Sequence, residues 1–424
     1  MNRFLSPQGL TRTSARHPWL VLGAWVLLIA GAVFAAMQMD ITENSDITGT
    51  DSYRADKLLE ERLRGDDPAS ETIVVESSQF RVDDPAYRDF VTSLTADLRN
   101  TEGVASVTNA YEAGEDGLVS ADRTMTLIVA NLTGDAIDAD ETVVPLLDTL
   151  ENHQAEGFEV LTAGDGSINR ELNERFEQDI ASAEQLGVPA ALVVLFFVFG
   201  AAVAAGVPVV LGFLGIALSI GITALLSHVL GVGSIVTNMI TMIGLAVGID
   251  YSLFIIERFR EERGKGATKL DAITTAGNTA SRAVVFSGMT VVIALAGLMI
   301  VPASDFKGMS IGAITAVVAA VLVALTLLPA LLSLLDGKIN WLHLPGRAKP
   351  REDQSKGFFA HTTDAVIRHP IISVAGATAL LLAMAAPIAA INLGNPGLTD
   401  FPQDLESVRA FNIINDQFSA GRLE

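Results

Sequence analysis

The stretch ITMIGLAVGIDYSLF, Ile240–Phe254, decides how the rest of the chain is read. It lies in an apolar run long enough to cross a bilayer, yet carries Asp250 within the half nearer the basic connection that follows. An ionisable side chain in hydrocarbon costs several kcal/mol unless paired or wetted, so its presence points to function. A carboxyl group so placed can take up and release a proton as its surroundings change. The expectation is proton-coupled transport across a membrane.

Working outward, the apolar runs are Trp19–Met37, Leu186–Ala205, Val207–Ser227, Ile235–Ile256, Ala283–Val301, Met309–Leu335 and Ile371–Ile391. They predict about seven transmembrane helices, TM1 over 19–37, TM2–TM6 within 186–335 and TM7 over 371–391. Met309–Leu335 exceeds one crossing and should tilt or protrude. Pro329 should kink it. The run 19–37 is too long for the apolar core of a signal peptide.

The chain has 424 residues, half of them apolar, and a formal net charge of −21. That charge is concentrated: residues 38–185 hold 34 acids against 10 bases. Residues 1–18, the connection 257–282 and the linker 336–370 are basic by contrast. With alternating spans all three basic segments fall on one side, the cytoplasm, and the acidic insert 38–185 falls outside. The protein should therefore sit in the cytoplasmic (inner) membrane as a multi-pass protein with a cytoplasmic N-terminus. No cysteine is present, so disulfides and thiolate metal sites are excluded.

Within the insert, Thr72–Glu76, Val104–Tyr111, Thr124–Asn131 and Phe158–Thr162 read as strands, and Asp83–Asn100 and Glu141–His153 as helices. The order β-α-β-β-α-β is that of a ferredoxin-like split unit. Ile168–Gln185 continues as a polar helix into the second span. The sequence offers no catalytic constellation and no metal-ligand cluster, and the phosphate-cradling GxxxxGK[ST] loop is missing, so an enzyme or a directly ATP-driven pump is not expected. Nothing points to nucleic acid. No cofactor is expected other than protons as the coupling ion.

Arg16-His17-Pro18 opens the first span and Arg368-His369-Pro370 the seventh. Each span is followed by a polar stretch and then by Arg-Ala, at Arg54-Ala55 and Arg409-Ala410. This is the signature of a tandem repeat whose second copy has only begun by residue 424. The chain is expected to be half of a transporter. Its other half would lie in the same chain, in a second copy or in a separate protein, with 392–424 starting a second soluble domain.

Three segments, GLAVGIDYSLFIIERFREE (Gly244–Glu262), SRAVVFSGMT (Ser281–Thr290) and LTLLPALL (Leu325–Leu332), resemble the MMPL-type members of the RND transporter superfamily. The order of span, soluble insert, five spans and linker resembles that family across nearly the whole chain. The resemblance implies an α-helical membrane bundle carrying an extracytoplasmic α+β ferredoxin-like domain of the porter type. It also implies export of lipids or other hydrophobic molecules driven by the proton-motive force, with Asp250 and Tyr251 in the proton relay and Ser287 supporting them. In that family the second repeat supplies a matching acid–tyrosine pair, and here the corresponding helix lies beyond residue 424. A non-transport membrane scaffold or sensor of the same architecture is the alternative.

Helix geometry adds detail. Asp250 and Tyr251 lie about 100° apart around the axis and address different neighbours. Gly244 and Gly248 form a small-xxx-small stripe on the Tyr251 side, where another helix can approach closely. Tyr251 is expected at that seam, with Asp250 facing the bundle interior. Asn238 is a candidate for an interhelical polar contact. Arg258–Arg263 should carry the fourth span onward as part of an amphipathic helix over 257–282.

Overall fold

The computed structural model describes residues 6–38, 68–114, 116–135, 139–228, 235–342, 358–391 and 401–418, with 51, 54, 55, 58 and 62 between the first two segments. The linker expected at 336–370 and the second insert expected at 392–424 lie partly outside these residues.

The acidic insert is built on four strands, β1 (Pro68–Ser77), β2 (Val104–Asn109), β3 (Met125–Asp135) and β4 (Phe158–Gly164). Every pairing is antiparallel, in the order β2-β3-β1-β4. Helix α3 (Pro85–Arg99) connects β1 to β2, and α4 (Val144–Asn152) lies between β3 and β4. This is the connectivity of a split β-α-β unit. Strand alternation gives β1 two working faces. Ile73 and Val75 point into a core with Tyr87, Val91 and Leu94 of α3 and Leu146 of α4. Val74 points the other way, with Leu127 and Leu161.

That second face is covered from far along the chain. Helix α14 (Glu406–Gln417) lays Ala410, with Phe418 beyond its end, onto Val74, Leu127 and Leu161. Arg409 pairs with Glu159 at 2.7 Å. Residues from beyond the last apolar run thus close the second face of the insert's sheet.

From β4 the chain enters α5 (Asp165–Phe199), a single helix of 35 residues whose second half is apolar. It stops at Gly200, which adopts φ 65°, and α6 (Ala202–Ser227) follows at once. The expected boundary between the second and third spans lay near Gly206. Both glycines sit in continuous apolar sequence, and hydropathy cannot distinguish the one that takes the left-handed conformation from the one inside a helix.

The remaining bundle consists of α7 (Ile235–Gly264), α8 (Lys269–Asn278), α9 (Ala280–Ala296), α10 (Ser304–Leu322) and α11 (Leu328–Leu335), with α2 (Pro18–Ala36) against α6. Among the described residues, seven helices are long and apolar enough to cross a membrane. The connection 257–282, expected as one amphipathic helix, is two: α7 runs on to Gly264, a turn at Gly266 with φ 89° follows, and α8 begins at Lys269. Between α10 and α11, residues Val323–Leu327 form a π-helical turn. Pro329 has no N–H to offer Leu325, and its ring crowds that carbonyl, so the widened turn absorbs the mismatch. Trp25 donates from Nε1 to Thr326 Oγ1 across this turn at 3.0 Å. Deeper between α6 and α10, the buried hydroxyls of Ser219 and Thr223 lie 2.9 and 3.0 Å from Thr315 Oγ1.

A short helix, α1 (Pro7–Arg16), seals one end of the bundle. Its Thr11 lies against Gly277 of α8, and its Ala15 carbonyl accepts from Ser333 Oγ at 2.8 Å. At the other extreme, α12 (Phe358–Arg368) leads into α13 (Pro370–Ala385), which has no buried residue.

Candidate functional site

Helix α7 is wedged between α6 and α10, and its small residues are the reason. A Cβ at Gly248 would stand 2.8 Å from the Cα of Gly212 on α6. One at Gly244 would stand 2.8 Å from Ile216 Cγ1. On the α10 side, a Cβ at Gly312 would meet Val236 Cγ1 at 2.6 Å. These glycines leave room for the backbones of α6 and α7 to approach closely. Ser252, one turn past Gly248, is buried on this side, and its Oγ has no hydrogen-bond partner among the described residues.

Tyr251 is half-buried, but its hydroxyl reaches away from the Gly244–Gly248 seam. It lies 3.6 Å from where a Cβ of Gly288 on α9 would be, beside Val317 and Val321 of α10. Tyr251 thus sits at a close helix contact, made with α9 rather than with the helix that meets the glycine stripe.

Asp250 departs from expectation. It is exposed, in one row with Met242, Ala246 and Phe254 along α7. The interior-facing position expected of it is not what the described bundle provides. The reason is rotational: Gly244, Gly248 and Ser252 take the covered side, which turns Asp250 to the open one. Ser287 is exposed as well, while its neighbour Gly288 is buried beside Tyr251. Asn238 is half-buried, just over three turns before Asp250. The structure therefore brings Tyr251 to the helix that carries Ser287, and leaves Asp250 and Ser287 on uncovered surfaces of the bundle.

Two carboxylates that were not singled out in the sequence tie the sheet, α5 and α14 together. Glu71 is fully buried and accepts from Gly166 N (2.9 Å), Ser167 N (2.8 Å), Ser167 Oγ (2.7 Å) and Thr162 Oγ1 (2.9 Å). Burial pushes its carboxyl above the ordinary glutamate range, against the pull of these hydrogen bonds. Two of the donors are the first-turn amides of α5, so Glu71 fastens the head of that helix to the sheet. On α5 itself, Glu171 accepts from Glu406 N (2.7 Å), Ser407 N (2.8 Å) and Ser407 Oγ at the head of α14. Burial, then the Glu171 charge, raises the Glu406 carboxyl. A signal for Glu71 existed: it shares the inward face of β1 with Ile73 and Val75. A cavity of about 370 Å³ opens beside these joints, lined by Leu147, Leu150, Arg170, Glu171 and Glu406 among others.

Among the described residues no group of acids and histidines is placed to hold a metal ion.

Residues 44–373 match the MMPL family. The chain is 32% identical to the Streptomyces coelicolor membrane protein SCO6666, over 97% of this chain and 58% of that protein. It is 31% identical to the mycolic acid-containing lipids exporter MmpL11 of Mycolicibacterium smegmatis, over 98% of this chain and 44% of that protein. It is 30% identical to the heme uptake protein MmpL11 of Mycobacterium tuberculosis, over 94% of this chain and 42% of that protein. The chain thus spans about half the length of these relatives. With more than three quarters of its residues matched to the family, this multi-pass membrane protein belongs to the MMPL family.

Proposed function

We propose that the chain forms the first repeat of a proton-motive-force-driven exporter of lipids or other hydrophobic molecules in the cytoplasmic membrane. Its second half completes the transporter. Asp250 gains and loses the coupling proton, Tyr251 and Ser287 relay it, and Asn238, on the same helix as Asp250, contributes an interhelical polar contact. The split β-α-β unit serves as an extracytoplasmic porter domain, and α5 carries its movement into the membrane. The basic segments, α1 and α8 included, face the cytoplasm.

The observation that carries this reading is the position of Asp250 in an exposed apolar row on α7. A carboxylate facing acyl chains there would cost about 2.5–3.5 kcal/mol or more, so the row calls for a protein cover. A second repeat, as the Arg-His-Pro recurrence and the length of the relatives suggest, supplies one. Each proton moved through 100 mV is worth about 2.3 kcal/mol, which sets the scale of the drive. The named relatives handle a lipid in one case and heme in the other, both largely hydrophobic, and this supports the cargo class.

The test is export of a fluorescent lipid from membrane vesicles bearing the chain together with its second half, under an imposed pH gradient. Asp250→Asn should reduce export to the no-gradient level while leaving assembly intact. Full-rate export by that variant would overturn the proposal. Gradient-independent behaviour of the unmodified protein would favour the scaffold or sensor alternative.

A further inference from the structure

A second cavity, of about 360 Å³, lies where the first turn of α1 meets the start of α9. Ser6, Pro7 and Gln8 line it from one side, Gly277 and Asn278 at the end of α8 from another, and Arg282, Val285 and Phe286 from α9. We propose that this cavity binds the phosphate head group of an anionic phospholipid, with one acyl chain lying along α9. The placement of the cavity at the cytoplasmic face rests on the orientation proposed above; the binding chemistry does not.

Three features argue for that ligand. The first is depth. Arg282 is the last charged residue before a run of 22 uncharged residues, Ala283–Ser304, so it stands at the border between water and hydrocarbon. The second is the state of its guanidinium, which lies 5.6 Å from the Phe286 ring centroid and forms no ion pair among the described residues. Stacking fixes the plane of the guanidinium and leaves N–H donors at its edge free for a phosphate. Gln8 and Asn278 add amide groups, and the first turn of α1 presents the positive end of a ten-residue helix. No acid is among the described residues of the lining, and Arg12 and Arg16 on the exposed side of α1 add positive charge.

The third feature is the surface leading away from the cavity. Phe286, Met289 and Ile293 follow Arg282 at four, seven and eleven residues, and they are 63%, 58% and 66% exposed. That spacing places them in one stripe. From Arg282 to Ile293 the helix rises about 16 Å, close to half of a hydrocarbon core about 30 Å thick. A polar, cationic head pocket thus continues into an apolar track one leaflet deep. Ser287 lies about 100° around from Phe286, so the track is separate from the proposed relay.

The experiment is lipid binding by the purified full chain in detergent, read by native mass spectrometry and thermal shift. Phosphatidylglycerol, phosphatidylcholine and inorganic phosphate serve as probes. Phosphatidylglycerol should bind at least about tenfold more tightly than phosphatidylcholine, and inorganic phosphate should not displace it. Arg282→Gln should erase the preference for the anionic lipid, since one charge-assisted contact is worth about tenfold or more. Arg282→Lys should keep part of the preference, and Phe286→Ala should weaken both lipids. Asp250→Asn should bind like the unmodified chain, which separates this site from the transport reading. Equal affinity for the two lipids, a preference that survives Arg282→Gln, or displacement by inorganic phosphate would overturn the proposal.

Discussion

Replacing Gly248 by alanine should damage the bundle far more than the same change at Gly244, although both glycines belong to one stripe. The added methyl at 248 would sit 2.8 Å from the Cα of Gly212, which is backbone on a neighbouring helix. Carbon atoms prefer about 3.5–4.0 Å, so α6 and α7 must part by roughly 0.7 Å or more. No rotamer change relieves this, because neither glycine has a side chain to move. Gaps of that size forfeit a quarter to a half of each contact along the seam, and overpacking of this kind costs about 1–3 kcal/mol. At Gly244 the methyl meets Ile216 Cγ1 instead, the arm of a side chain rather than backbone. Ile216 is stiff at χ1 in a helix, so the expected cost there is about 1 kcal/mol, the low end of the same range. Thermal unfolding in detergent, with monodispersity followed by size exclusion, would show Gly248→Ala melting well below Gly244→Ala. Equal melting of both variants, or the reverse order, would refute the close-approach argument.

Glu71→Ala should destabilise the four-stranded unit by about 2–6 kcal/mol, because two buried amides lose their acceptor at about 1–3 kcal/mol each. Glu71→Gln should cost much less, since its carbonyl can take the two amides while its NH₂ faces two hydroxyls able to accept; chemical denaturation compares the pair. Glu171→Ala should loosen α14 by about 0.5–2 kcal/mol, the worth of a helix cap, seen as faster amide exchange confined to Glu406–Gln417. The Glu406 carboxyl is raised in the folded state, so docking of α14 is favoured while that group is protonated. Its contribution is complete below the ordinary glutamate value of 4.5 and is lost as pH rises through the raised one, a dependence that Glu406→Gln should abolish.

How much of this is legible in the sequence differs from element to element. The spans are, because twenty apolar residues admit few other readings. The strand order is also legible, from the alternation in β1 and β3 and the helical period between them. The break after Phe199 is not: Gly200 and Gly206 look alike until packing selects one. The π-helical turn is hidden for a similar reason, since Pro329 announces a disturbance without saying which turn absorbs it. The direction of Asp250 is the most instructive miss. In water, polarity tells a covered helix face from an open one. In a membrane both faces are apolar, so Met242, Ala246 and Phe254 give no sign of being open. Glu71 escaped because the expected strand began at Thr72, one residue past it, so its place on the inward face with Ile73 and Val75 went unseen.

The central claim is that Asp250 changes its protonation during function. The most direct measurement is infrared difference spectroscopy of the carboxyl stretch, stepped from neutral to acidic pH, on the chain assembled with its second half in lipid nanodiscs. A protonated-carboxyl band should grow on acidification and be lost in Asp250→Asn. A carboxyl region that is the same in the unmodified protein and in Asp250→Asn at every pH would contradict that claim.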